Sequence, residues 1–238
     1  LTKFCIEKIL NKNIDDLDNI LINIKKDFDF YKNKGQQKEV FDWISDNKLN
    51  NFVIIAPNTS KKVKALDNFK WIKIIEFLNL NGFQVIIVGS SFDIMAKDLC
   101  NKLKIINKFN YIELPKWSLS KTVHLIKKSL LVISVDSCML HIASFLSINS
   151  IGLFGPSSLT FYSHYYNQST KKYSIQASCK HDKTKMRNHN DIKSMNKIDL
   201  NKLYHNIKDL LNIKNCININ KFSSIIDEKK IDNNQQYI

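Results

Sequence analysis

From residue 51 onward, short apolar runs alternate with segments whose apolar residues recur every three to four positions. The runs at 52–56, 85–88, 111–114, 131–135 and 150–154 read as strands buried on both faces. Between them lie helical patterns. One covers 68–80, with Phe69, Ile72, Ile75 and either Leu78 or Leu80 turned inward. Others cover 92–103, a stretch capped by Ser118 or Ser120 and running to 129, 138–147, and 199–211. Before residue 51 the pattern is helical only. Ile14, Leu17, Ile20, Leu21 and Ile24 share one face of a helix over 14–24, and Val40, Phe41 and Ile44 one face of a helix over 37–47.

Repeated strand–helix–strand units with continuous apolar strands imply a parallel sheet covered on both sides. The fold class expected is α/β, a Rossmann-like doubly wound parallel sheet over 51–213. Residues 1–50 form a helical segment before it. Residues 214–238 form a polar, charged tail expected to fray.

Composition narrows the function classes. The net charge of +14 could attract nucleic acid, anionic lipid or phosphorylated substrates. Lysine is spread over the whole chain, and Arg187 is the only arginine, so the residue that best reads bases is almost absent. No nucleic-acid partner is expected. The five cysteines are scattered and odd in number, which fits a reducing cytoplasm rather than a disulfide framework. Cys179, His181 and His189 are too loosely spaced for a zinc site and read as a surface loop, so no metal is expected. No apolar run is long enough to span a membrane, and the Leu1–Cys5 start has no basic region followed by a long apolar stretch, so no signal peptide is expected. The chain lacks an initiator Met and reads as a fragment or processed product.

Ligands of doubly wound sheets bind beyond the carboxyl ends of the strands. The first strand is followed by Thr59, Ser60 and Lys64, two hydroxyls and an ammonium able to meet phosphate. After the second come Gly89-Ser90-Ser91 and then Asp93. This carboxylate either takes ribose hydroxyls or stabilises its own helix dipole. The fourth ends in Asp136-Ser137-Cys138, with His141 one turn into the next helix. A helix N-terminus there favours a diphosphate. Alternatively Asp136 or Ser137 caps the helix and His141 is a buried core residue. The fifth ends in Gly155-Pro156-Ser157, either a turn or a place of close backbone approach.

Together, Asp136-Ser137-x-x-x-His141-x-Ala143 and Gly152-Leu153-Phe154-Gly155-Pro156-Ser157 resemble glycosyltransferase family 9, the lipopolysaccharide heptosyltransferases. Leu114-Pro115-Lys116-Trp117-Ser118-Leu119 and the Met195, Ile198, Leu203 spacing are similar to the family as well. The resemblance implies the C-terminal, donor-binding half of a two-domain GT-B enzyme. It implies Lys64 near the donor phosphates with Thr59 and Ser60 as hydroxyl partners, and Asp93 at the ribose. It also implies Trp117 over the base, and Asp136, Ser137, Cys138 and His141 on the diphosphate turn. Cys138 stands where the family has glycine, Leu66 where it has tryptophan, and Asn58 where a small residue is common.

The implied activity is inverting transfer of a heptose from an ADP-activated nucleotide-sugar donor to a lipid-linked saccharide such as lipopolysaccharide core. The donor is a substrate, and no cofactor or metal is implied. The implied location is cytoplasmic, with peripheral contact at the inner membrane. No residue of the chain takes the role of the family's catalytic base, which is expected outside it. The competing expectation is a truncated, non-catalytic nucleotide-binding module.

Overall fold

The computed structural model describes residues 34–59, 61–89, 94–159, 171–177 and 194–214. The expected helix over 14–24, Ser60, Asp93, the Cys179–His181–His189 loop and all of the tail but residue 214 lie outside them.

The sheet is parallel throughout. Its strands are β1 (Phe52–Ala56), β2 (Gln84–Ile87), β3 (Tyr111–Glu113), β4 (Leu131–Val135), β5 (Ser150–Phe154) and β6 (Lys172–Gln176). Their spatial order is β3-β2-β1-β4-β5-β6. Val53 pairs with both Val85 of β2 and Leu131 of β4, so β1 is central. The chain winds outward from β1 to β3, returns to β4, and winds outward the other way. The switch point of this Rossmann-like order lies between β1 and β4, the place where such sheets open a crevice for ligand.

Every residue of β1, β4 and β5 is buried, which accounts for their apolar runs, with Ser134 and Ser150 the buried polar exceptions. The strand β6 was not expected. Only Ile175 within it is fully buried. Its alternating Lys-Tyr-Ser-Ile-Gln pattern belongs to a half-covered edge, which lacks the apolar signature of the central strands.

The helices are α1 (Lys34–Asp46), α2 (Asn68–Leu80), α3 (Ile94–Ile106), α4 (Leu119–Ile126), α5 (Cys138–Phe145) and α6 (Leu200–Leu211). Three have carboxylate or hydroxyl caps: Asp67 accepts from Lys70 N, Ser118 from Lys121 N, and Asp199 from Asn201 N and Lys202 N. On one face of the sheet, α2, α3 and α6 cover Val53, Ile55, Val85 and Ile87. On the other, α1, α4 and α5 cover Phe52, Ile54, Ile86 and Val132.

Helix α1 is integral to that second layer. Val40 and Leu49 are buried in the same cluster as Phe52, Lys121 pairs with Glu39, and the Lys128 ammonium sits 4.6 Å from the Phe41 ring centroid. On α2 the expected inward stripe is too narrow. Trp71, Ile74 and Phe77 are buried along with Ile72, Ile75 and Leu78, whereas Phe69 is only partly covered and Leu80 is 42% exposed. The helix touches β2, α3 and α6 at once, so more than one stripe is enclosed.

Burial also reaches Glu76 on α2. Desolvation raises its pKa above the ordinary 4.5, against the opposing attraction of the Lys73 ammonium at 3.7 Å. A raised carboxyl pKa makes ionisation costly to the folded state. The cost is absent below the unfolded pKa and complete above the folded one. Glu76→Gln is therefore expected to raise the urea midpoint at pH 8 and to leave it unchanged near pH 4. An equal shift at both pH values would point to a cause other than ionisation.

Candidate functional site

The carboxyl ends of β1 and β4 bring together two residues 72 apart in sequence. Lys64, in the 3-10 turn Lys62–Lys64 after β1, donates from Nζ to Asp136 Oδ2, just after β4. Ser157, after β5, donates from Oγ to the same oxygen at 2.6 Å. All three are buried: Lys64 is 7% exposed, Asp136 8% and Ser157 0%. A buried ammonium persists only when paired and hydrogen-bonded, and Asp136 supplies both. The three residues also tie the ends of β1, β4 and β5 together at the switch point.

This arrangement separates the roles of the residues on the β4–α5 turn. Asp136 does not serve as the helix cap. Its carboxylate holds the Lys64 ammonium in place, and an anionic oxygen would repel a phosphate rather than bind it. Ser137 occupies the N-cap position but makes no side-chain cap bond, and its Oγ lies 2.8 Å from Ser134 Oγ. Neither side chain blocks the positive end of α5. Cys138, the first residue of α5, is exposed, so its side chain stands at the entrance of the turn.

His141 is half-buried one turn into α5. Desolvation lowers its pKa below 6.5, Asp136 opposes the shift, and Lys64 adds to it. At neutral pH the imidazole is uncharged, a hydrogen-bonding group beside the ion pair rather than a second cation.

The remaining expected residues divide. Thr59 Oγ1 accepts from Lys61 N at 3.4 Å, so its hydroxyl organises the β1 loop beside Lys64. Trp117 follows β3, two strands away from Lys64, and meets Trp43 of α1 edge to face, with ring centroids 4.9 Å apart and planes at 69°. Ser60 and Asp93 lie outside the described residues. Asn58, between Thr59 and β1, links two strand ends to α3: its Nδ2 donates to Val88 O and its Oδ1 accepts from Ala96 N. Gly89 packs against this link, and a Cβ there would lie 2.6 Å from both Ala96 Cβ and Asn58 Nδ2. Gly155 is equally confined, a Cβ meeting Met195 Sδ at 2.5 Å and Ser194 Oγ at 2.9 Å. That contact seats Met195 against the β5 end and explains why glycine follows Phe154.

The sequence reading assigned no role to Ser157 or Trp43. Ser157 ends the Gly152-Leu153-Phe154-Gly155-Pro156-Ser157 run, but only the fold shows its hydroxyl reaching Asp136. Trp43 precedes the sheet and carries no signal beyond its place in a helix. Among the described residues no group of His, Cys, Asp and Glu could hold a metal ion, and no helix is long and apolar enough to cross a membrane.

The sequence profile of glycosyltransferase family 9 (heptosyltransferase) matches residues 21–193. No curated protein matches the chain. Among solved structures, a family 9 glycosyl transferase from Veillonella parvula superposes with a TM-score of 0.61 at 14% identity, covering 75% of this chain and 52% of that one. The ADP-heptose lipopolysaccharide heptosyltransferase II of E. coli gives 0.58 at 19% identity, covering 75% and 51%. E. coli heptosyltransferase WaaC, solved with ADP, gives 0.50 at 15% identity, covering 68% and 45%. The chain spans about half the length of these structures.

Proposed function

The chain belongs to glycosyltransferase family 9, the heptosyltransferase family, and from that premise we propose that it forms the donor-binding half of a heptosyltransferase. The donor is an ADP-activated heptose, and the acceptor a lipopolysaccharide core or similar lipid-linked saccharide. The observation that carries this reading is the buried Lys64–Asp136–Ser157 group at the switch point of the sheet. It fixes one ammonium beside the N-terminus of α5, where the two diphosphate charges of a nucleotide sugar would be met by a cation and by helix N–H groups. The structural neighbours also support the reading: WaaC was solved with ADP, and heptosyltransferase II is named for ADP-heptose.

In the proposed step the acceptor hydroxyl oxygen attacks the anomeric carbon from the face opposite the diphosphate. The carbon–oxygen bond to ADP breaks with inversion, and the hydroxyl proton passes to a base. The site's contribution is to stabilise the departing diphosphate with Lys64, the α5 N-terminus and neutral His141. Asp136 is engaged by Lys64 and Ser157, so we assign the base to a part of the enzyme outside this site. Peripheral docking at the cytoplasmic face of the inner membrane, helped by the +14 charge, belongs to the same proposal.

A thermal-shift comparison of ADP, UDP and GDP tests the donor. ADP at a hundredfold excess over Kd is expected to stabilise the fold by about 2.7 kcal/mol, roughly 5–10 °C for a chain of this size. UDP and GDP should give smaller shifts. No shift with any of the three would refute the donor assignment.

A further inference from the structure

We propose that Trp43, on the helix preceding the sheet, is a specificity-determining residue of the nucleotide site. It sets the Trp117 indole so that the pair favours a purine base over a pyrimidine. The inference rests on the reading above that a nucleotide occupies the strand ends.

The phosphate-side group lies beyond β1 and β4, and Trp117 lies beyond β3. At the usual strand spacing the two are roughly 10 Å apart along the sheet edge. An extended nucleoside diphosphate bridges such a separation, with its base at the β3 end. The backbone of Trp117 is fixed on both sides. Its N–H donates to Pro115 O at 2.6 Å, and the next residue, Ser118, caps α4. What remains to be set is the tilt of the ring, and Trp43 touches that ring at 4.9 Å and 69°.

An edge-to-face pair uses one edge and one face, and leaves indole surface exposed on the side away from the contact. Both tryptophans are half-buried, anchored in the layer that includes Leu114 and Val40 and open at its rim. With the two planes at 69°, one fused-ring face of Trp117 offers the apolar wall and Trp43 braces it from the side. A purine, itself two fused rings, covers more of that wall than a pyrimidine does. Trp43 comes from α1, which Val40 and the Lys121–Glu39 pair lock against α4. The tilt of Trp117 is therefore set by a helix outside the β–α–β repeat.

The test is calorimetric titration of the full chain with ADP, adenosine, UDP and pyrophosphate. Trp43→Ala is expected to weaken ADP and adenosine by about fivefold to tenfold. Pyrophosphate should be unchanged and UDP nearly so, so that the ADP-to-UDP preference shrinks. Trp43→Leu keeps apolar bulk without the indole and is expected to show the same narrowing; it carries the test if Trp43→Ala does not fold. An ADP-to-UDP ratio equal to the parent's in a folded Trp43 variant, with Trp117→Ala still weakening ADP, overturns this inference alone. Unchanged ADP affinity in Trp117→Ala overturns the placement of the base, and this inference with it. A general loss that includes pyrophosphate would mark Trp43 as merely structural and overturn it too.

Discussion

Lys64→Met is expected to lower the unfolding free energy by about 3–5 kcal/mol, because it leaves the Asp136 carboxylate buried without its cation, and to abolish ADP binding, because it removes the cation proposed to meet the phosphates. The two effects have different origins and can be separated. In the double variant Lys64→Met/Asp136→Asn both charges are gone, and the amide oxygen introduced in place of the carboxylate can still accept from Ser157 Oγ. Replacing a buried pair by neutral groups of similar volume is often close to neutral, so most of the stability should return. ADP binding should not, since the cation proposed to meet the phosphates is still missing. Urea unfolding and calorimetric titration on the parent and the two variants give both readouts. A double variant that binds ADP like the parent would remove Lys64 from the phosphate site. A single variant as stable as the parent would contradict the burial of the pair.

Trp71→Ala is the other large effect expected, again about 3–5 kcal/mol by urea unfolding. Trp71 is fully buried at the centre of the layer formed by α2, α3 and α6. Its Nε1 has no hydrogen-bond partner among the described residues. An unsatisfied buried donor costs about 1–3 kcal/mol. Trp71→Phe removes that donor and keeps most of the ring, so the lost packing and the relieved desolvation should nearly cancel. A Phe variant as unstable as the Ala variant would mean that the indole N–H does find a partner. The contrast also bears on the nucleotide site. With Trp71 replaced by Phe, the remaining two of the three tryptophans are Trp43 and Trp117, and intrinsic fluorescence reports on the proposed base wall directly.

The alternation of strands and helices was legible because a parallel sheet covered on both faces demands unbroken apolar runs, and β1, β4 and β5 fall where those runs stand. The boundaries of α2 were equally legible. Its buried face was not, because the following β2 and α3 and the distant α6 pack on it together and enclose more than one stripe. The edge strand β6 escaped notice for the converse reason. Half-covered, it needs only alternate apolar residues, and Tyr173 and Ile175 on a five-residue strand do not stand out from loop sequence.

For the candidate site, Lys64, Asp136 and His141 could be singled out from their positions after strands, since any doubly wound sheet presents those positions to a crevice. Their division of labour could not. Asp136 turns from an expected diphosphate neighbour into the residue that positions Lys64, across 72 residues, only because the order β2-β1-β4-β5 sets their strand ends side by side. Local apolar periodicity and turn chemistry act over a few residues, and they suffice to specify elements and the polar groups at their ends. Which of those groups meet, and which of them pair with one another, depends on strand order and on the layer that packs above it. The contact of Trp43 with Trp117 and the hydroxyl of Ser157 on Asp136 belong to that second kind of information.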